Sequence, residues 1–187
     1  MKRPRYDIPK IYMQPGELVF SSVPVEVTTV LGSCLAVTMF HLGTQVGAVC
    51  HALLPAGVCP KKVSEGCNPG FRFVNGALRV MFMAFESRGI SPKEIQIKIF
   101  GGGDVLEAVE GRVDPTVGRM NINEAWRCLN EIGVFPRAED VGGPYGRKLL
   151  FFSHTGDVYV KCLKKWHDSL REGELPARSV HSSKKGI

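Results

Sequence analysis

The stretch TTVLGSCLAVTMFHLGTQVGAVCHALLP, residues 28–55, holds two apolar runs separated by a polar, glycine-containing break. The first run, Leu35–Phe40, and the second, Val46–Leu54, are short and partly β-branched, which favours buried strands over helices. A turn at Leu42-Gly43 would close them into a hairpin. In that register Phe40 opposes Gln45, Ala36 opposes Val49, and the series runs on to Cys34 and His51. Directly opposed residues carry Cβ atoms about 4.5–5.5 Å apart, so a thiol would meet an imidazole. A rival reading makes Ser33 the N-cap of a helix starting at Cys34, where the helix terminus would favour a thiolate. The shortness of the segment and its glycine turn favour the strand.

Outward from this hairpin the pattern stays strand-rich. Glu17–Ser22 and Val25–Val30 read as short strands parted by Pro24. Ala56–Gly70 has no period and reads as a long loop. Arg72–Arg88 predicts a helix, because Val74, Ala77, Leu78, Met81, Phe82 and Phe85 recur at spacings of three and four, with Gly89 as the stop. Glu94–Phe100 alternates as a strand and runs into Gly101–Gly103. A second helix is expected over Asn123–Ile132, ended by Gly133. Arg147–Ser153 and Asp157–Leu163 predict a hairpin through His154–Gly156. From Lys164 the chain reads as a polar tail. Adjacent strands outnumbering helices imply an α+β layered domain with a largely antiparallel sheet.

The chain has 187 residues, enough for one domain with a substantial core. No apolar run is long enough to span a bilayer, and the start lacks an apolar signal segment, so a cytoplasmic location without membrane insertion is expected. The formal charge of +6 permits an acidic partner, but part of it sits in KRPR and SSKKGI at the two ends, so no nucleic-acid function is expected. The six cysteines, Cys34, Cys50, Cys59, Cys67, Cys128 and Cys162, read as free thiols in a cytosolic chain of this size.

The chemistry of the opening stretch fits a nucleophile. A thiolate attacks, and an imidazole that pairs with it lowers the thiol pKa. Gly32 allows close backbone approach, and the amides around Gly32 and Ser33 could serve an oxyanion. A base needs a third group to orient it, and Thr28 is the candidate. Against this stands the plainer reading of Cys34 and His51 as ordinary core residues.

TTVLGSCLAV, with HALLP following, resembles the chemoreceptor glutamine deamidases, the CheD family of chemotaxis. IFGGGDVL (Ile99–Leu106), VGRMNI (Val117–Ile122) and EDVGGPYGRKLLFFSHTGDVYVKCL (Glu139–Leu163) resemble further segments of that family, in order. The resemblance implies a deamidase domain over 12–163, with 1–11 an N-terminal extension and 164–187 a C-terminal tail. It implies a three-layer α/β/β sandwich, and hydrolysis of glutamine side chains to glutamate in methyl-accepting chemotaxis receptors. By the same resemblance Cys34 is the nucleophile, His51 the base and Thr28 the assisting residue, acting through a thioester, with no cofactor or metal. A CheC-type phosphatase is implied as a further partner. The family usually has a basic residue where Met120 stands and Ala where Gly103 stands. Asn121 reads equally as a helix-entry cap.

Other constellations are weaker. A zinc site from Cys50, His51, Cys59 and Cys67 lacks the compact spacing of structural hooks. FGGGDV lacks the Lys-Ser/Thr of a phosphate loop. Phe71, Phe73, Phe82 and Phe85 could suggest a base-stacking platform, but Phe82 and Phe85 fit a buried helix stripe better. The competing function class is a non-catalytic docking module that keeps the deamidase scaffold and binds receptor or phosphatase.

Overall fold

The computed structural model describes residues 7–57, 71–105, 115–163 and 178–179. These form ten strands and two α-helices in three layers. One sheet runs β1 (Lys10–Tyr12), β3 (Glu26–Leu31), β8 (Gly146–Phe152), β9 (Val158–Leu163) and β10 (Arg178–Ser179), in that spatial order. The other runs β2 (Leu18–Ser21), β5 (Val46–Ala52), β4 (Leu35–His41), β6 (Ile95–Gly101) and β7 (Ala138–Val141). Among the described strand pairs, β1·β3 and β6·β7 are parallel and the others are antiparallel. The helices α1 (Val74–Glu86) and α2 (Val117–Ile132) cover the outer face of the second sheet.

Strand alternation divides the core in two. Leu35, Val37 and Met39 of β4, Ala48, Cys50 and Ala52 of β5, and Ile95, Ile97 and Ile99 of β6 face the helices. They pack on Val74, Leu78, Met81 and Phe85 of α1 and on Ala125 and Leu129 of α2. The opposite faces, with Ala36, Val49 and Phe100, meet Val27 and Leu31 of β3, Leu149 and Phe151 of β8, and Val158 and Val160 of β9. This is the expected α/β/β layering.

Several boundaries differ from the sequence reading. Helix α2 starts at Val117 rather than Asn123, because the Thr116 side chain caps it by accepting from the Arg119 amide at 3.3 Å. Asn121 is therefore interior to the helix and not its cap. β1 takes its first two residues from the segment expected to be an extension, and β10 pairs Arg178 with Val160 inside the expected tail. Residues 58–70, which hold Cys59 and Cys67, lie outside the described residues, as does most of the tail.

The hairpin register is also corrected. Leu35 pairs with Ala52, Ala36 with His51 and His41 with Val46, which leaves a four-residue loop, Leu42–Gln45. A two-residue turn favours positive φ at both central positions, and leucine adopts it poorly. Instead His41 Nδ1 contacts Thr44 Oγ1 at 2.8 Å and accepts from the Thr44 amide at 3.2 Å, while Gln45 takes the positive φ of 53°.

Candidate active site

Cys34 ends the turn between β3 and β4, just before the first strand residue. With Ala36 opposite His51, Cys34 lies diagonal to His51 rather than facing it. Cys34 and His51 have the parity of Ala36 and Val49, so both are on the face that meets the other sheet, and Cys34 packs against that inter-sheet cluster. Diagonal neighbours are about 7–8 Å apart at the backbone, a separation that long and aromatic side chains span.

The group that orients His51 is Thr29. Its Oγ1 donates to the Met13 carbonyl at 2.8 Å and meets His51 Nδ1 at 2.8 Å. With the hydroxyl proton committed to Met13, the oxygen accepts from Nδ1–H, which leaves Nε2 as the basic lone pair. Nε2 is buried and has no hydrogen-bond partner among the described residues. Thr28, expected in this role, is the neighbour of Thr29 on a strand, so its side chain takes the opposite face of the sheet. The sequence holds the signal: Val25, Val27 and Leu31 share the parity of Thr29, whereas Glu26 shares that of Thr28. His51 is anchored through its backbone as well, by Gly16 N–H to its carbonyl at 2.7 Å and by its own N–H to the Glu17 carbonyl at 3.0 Å.

Electrostatics hold both groups neutral. Burial lowers the His51 pKa to about 4, opposed in part by the Glu17 carboxylate. Burial raises the Cys34 thiol, opposed by its own backbone N–H. Both shifts work against the thiolate–imidazolium pair expected from the sequence, because forming it would require two charges to be desolvated together. A neutral imidazole on the sheet face that a neutral thiol shares suits general-base chemistry, with the proton moving as the sulfur attacks.

The turn carrying Cys34 is held by three successive carbonyls. Gly103 N–H donates to Gly32 O at 2.8 Å, Asn121 Nδ2 to Ser33 O at 2.9 Å, and Gly102 N–H to Cys34 O at 2.8 Å. Gly101 and Gly102 have φ of 103° and 62°, and a Cβ on Gly101 would collide with the Cys34 carbonyl. These glycines thus do more than turn the chain after β6: they let it approach the Cys34 turn closely. Gly32 and Ser33 enter through their backbone, and a Cβ on Gly32 would meet Val105 Cγ2 at 3.2 Å. Asn121 reaches the Cys34 turn through Ser33, 88 positions away, a contact that no local sequence pattern announces. Among the described residues no cluster of three or more His, Cys, Asp or Glu side chains could hold a metal ion. No described helix is long and apolar enough to cross a membrane.

Fold and site together define a three-layer α+β protein with a thiol and an oriented imidazole on one sheet face. A family model described as CheD chemotactic sensory transduction matches residues 53–162. A Geobacter sulfurreducens protein named "Probable chemoreceptor glutamine deamidase CheD 2" is 44% identical over 158 residues, 84% of this chain and 92% of that one. Proteins named "Probable chemoreceptor glutamine deamidase CheD" from Maridesulfovibrio salexigens and Oleidesulfovibrio alaskensis are 34% and 35% identical, covering 88% and 92% of this chain and 98% and 82% of theirs. The chain belongs to the CheD family.

Proposed function

We propose that this protein deamidates glutamine side chains of chemotaxis receptors by thiol catalysis at Cys34, with His51 as the base. Membership in the CheD family and relatives named as chemoreceptor glutamine deamidases support the reaction. The observation that carries the mechanism is the chain Met13–Thr29–His51, which leaves Nε2 as an unpartnered base on the sheet face that Cys34 shares.

In this reading His51 Nε2 takes the Cys34 proton as sulfur attacks the carboxamide carbon. The imidazolium then protonates the departing nitrogen, and ammonia leaves a glutamyl thioester. Water gives its proton to Nε2 and adds to the thioester; the cysteine sulfur departs and is reprotonated, releasing glutamate. Gly32 and Ser33 shape the backbone around the nucleophile. No organic cofactor or metal takes part in these steps. A cytoplasmic location and a CheC-type phosphatase partner belong to the same reading, and the family resemblance supports both.

The test is incubation with the cytoplasmic part of a cognate chemoreceptor, reading glutamine-to-glutamate conversion by peptide mass spectrometry. Conversion by the wild type and none by Cys34→Ala is expected. Conversion by both would remove Cys34 as the nucleophile. Binding without conversion by either would favour the docking module.

A further inference from the structure

We propose that Asn121 is a positioning residue that aims the Cys34 amide N–H at the oxyanion of the reaction. The inference rests on Cys34 being the nucleophile. Asn121 is fully buried in α2, and its Nδ2 donates both to Ser33 O at 2.9 Å and to Leu53 O at 3.0 Å. One side chain thus ties the residue before the nucleophile to the end of the segment that carries His51.

The bond to Ser33 fixes a direction. In a planar trans peptide the carbonyl of one residue and the N–H of the next point to opposite sides. Ser33 O is turned toward α2 by Asn121, so the Cys34 N–H is turned away from α2. Its nitrogen and its sulfur belong to the same residue and are joined through Cα and Cβ, so the two stay close. The carbon attacked by that sulfur would bring its oxygen beside this N–H, where a donor fixed beforehand is worth most. The flanking peptides are held by the backbone amides of Gly102 and Gly103, so among the described contacts of this turn the Ser33–Cys34 peptide is the one oriented by a side chain.

Two features argue against Asn121 serving packing alone. It is the buried polar side chain within a helix face otherwise made of Gly118, Ala125, Cys128 and Leu129. Its Oδ1 is also buried and has no partner among the described residues, so the amide is retained despite an unsatisfied acceptor. Both of its donors are engaged with the turn and with the base segment.

The experiment compares wild type, Asn121→Asp, Asn121→Ala and Cys34→Ala on a receptor fragment, with melting temperature and the rate of Cys34 alkylation by iodoacetamide. Alkylation is a displacement at saturated carbon and needs no oxyanion donor. Loss of an oxyanion donor lowers kcat by about 10²–10³-fold, and a misaimed one is expected to cost about 10–100-fold. The expected result is that loss in kcat for both Asn121 variants, with KM and alkylation changed less than about threefold. Wild-type kcat in folded Asn121 variants would overturn the inference, as would a parallel fall in alkylation, which would mark a structural role. Activity in Cys34→Ala would overturn the thiol mechanism itself. A measurement on the wild type needs no variant: a peptide carrying an aldehyde in place of the glutamine carboxamide forms a hemithioacetal with Cys34. The Cys34 amide proton is expected to move downfield in the NMR spectrum on binding, and an unmoved resonance would overturn the inference even if the variants fail to fold.

Discussion

The two cores of this protein share the strands β4, β5 and β6 but have different chemistry. The core between helices and sheet is almost wholly apolar, from Leu35 and Ile97 to Phe85 and Leu129, with Asn121 as its polar member. The core between the sheets holds Thr29 and His51, and Lys98, Arg147 and Ser153 are buried with polar partners between the same elements. Lys98 Nζ donates to Gly156 O at 2.8 Å, and Arg147 bonds Asp140 Oδ1 as well as Gly142 O and Tyr145 O. Apolar burial is non-directional, whereas each buried polar group needs a partner at a set distance and angle. The helix-facing core supplies stability, and the inter-sheet core supplies fixed directions. Adjacent residues of β5 divide accordingly. Cys50 faces the helices and its thiol is pushed up to about 11 by burial; His51 faces the other sheet and holds a proton acceptor in place.

The largest test of this division is Phe85→Ala, in the helix-facing core. Emptying a fully buried phenylalanine costs about 3–5 kcal/mol. Calorimetric or denaturant unfolding should show that loss while kcat per folded molecule stays near wild type; a fall in kcat matching that of an inter-sheet variant would erase the distinction. Thr29→Val makes the opposite change. It keeps the shape, leaves His51 Nδ1–H without its acceptor, and is expected to lower kcat about 10–100-fold, since an unoriented base loses much of its general-base advantage. Steady-state kinetics with unchanged KM would bear this out.

The pH dependence is a smaller effect. The folded pKa of His51, about 4, lies below the ordinary histidine value of 6.5. Between these limits the unfolded chain binds a proton that the native state refuses, so stability is full above pH 6.5 and falls as pH drops toward 4. Each pKa unit corresponds to about 1.4 kcal/mol, so the loss should be on the order of 2–3 kcal/mol and should shrink in His51→Gln. The same shifts predict that kcat/KM holds through the region where free histidine titrates, with an acid limb near 4 and an alkaline limb set by the raised Cys34 thiol. An acid limb at 6.5 would show that His51 is solvated. The smallest effect belongs to Thr28→Val, on the other face of β3, where kcat should stay within about twofold of wild type.

Much of this division can be read in the sequence. The alternation of Ile95, Ile97 and Ile99 and the spacing from Val74 to Phe85 are local patterns, and they locate the strand and helix that build the helix-facing core. The hairpin carrying His51 is legible for the same reason. Its register is not, because the choice between a two- and a four-residue loop turns on a His41–Thr44 side-chain contact. Which threonine bonds His51 depends on strand parity, which Glu26 marks. The Asn121 contacts span 68 and 88 residues, and helix α2 begins earlier than its apolar spacing suggests, so nothing nearby in the chain announces them.

Those separations also rank the parts of the site by how early they can come together. Thr29 and His51 are 22 residues apart, whereas Ser33 must wait for Asn121, 88 residues on. Short loops close at lower entropic cost than long ones, so the oriented base is accessible to a chain that has folded only its first strands. The Cys34 turn takes its final form only after α2 docks. A partly folded chain would carry an exposed, undirected thiol before it carries an enzyme. Pulsed thiol labelling during refolding should then find Cys34 reacting as an ordinary cysteine until the helical layer closes, and slowing as that layer forms.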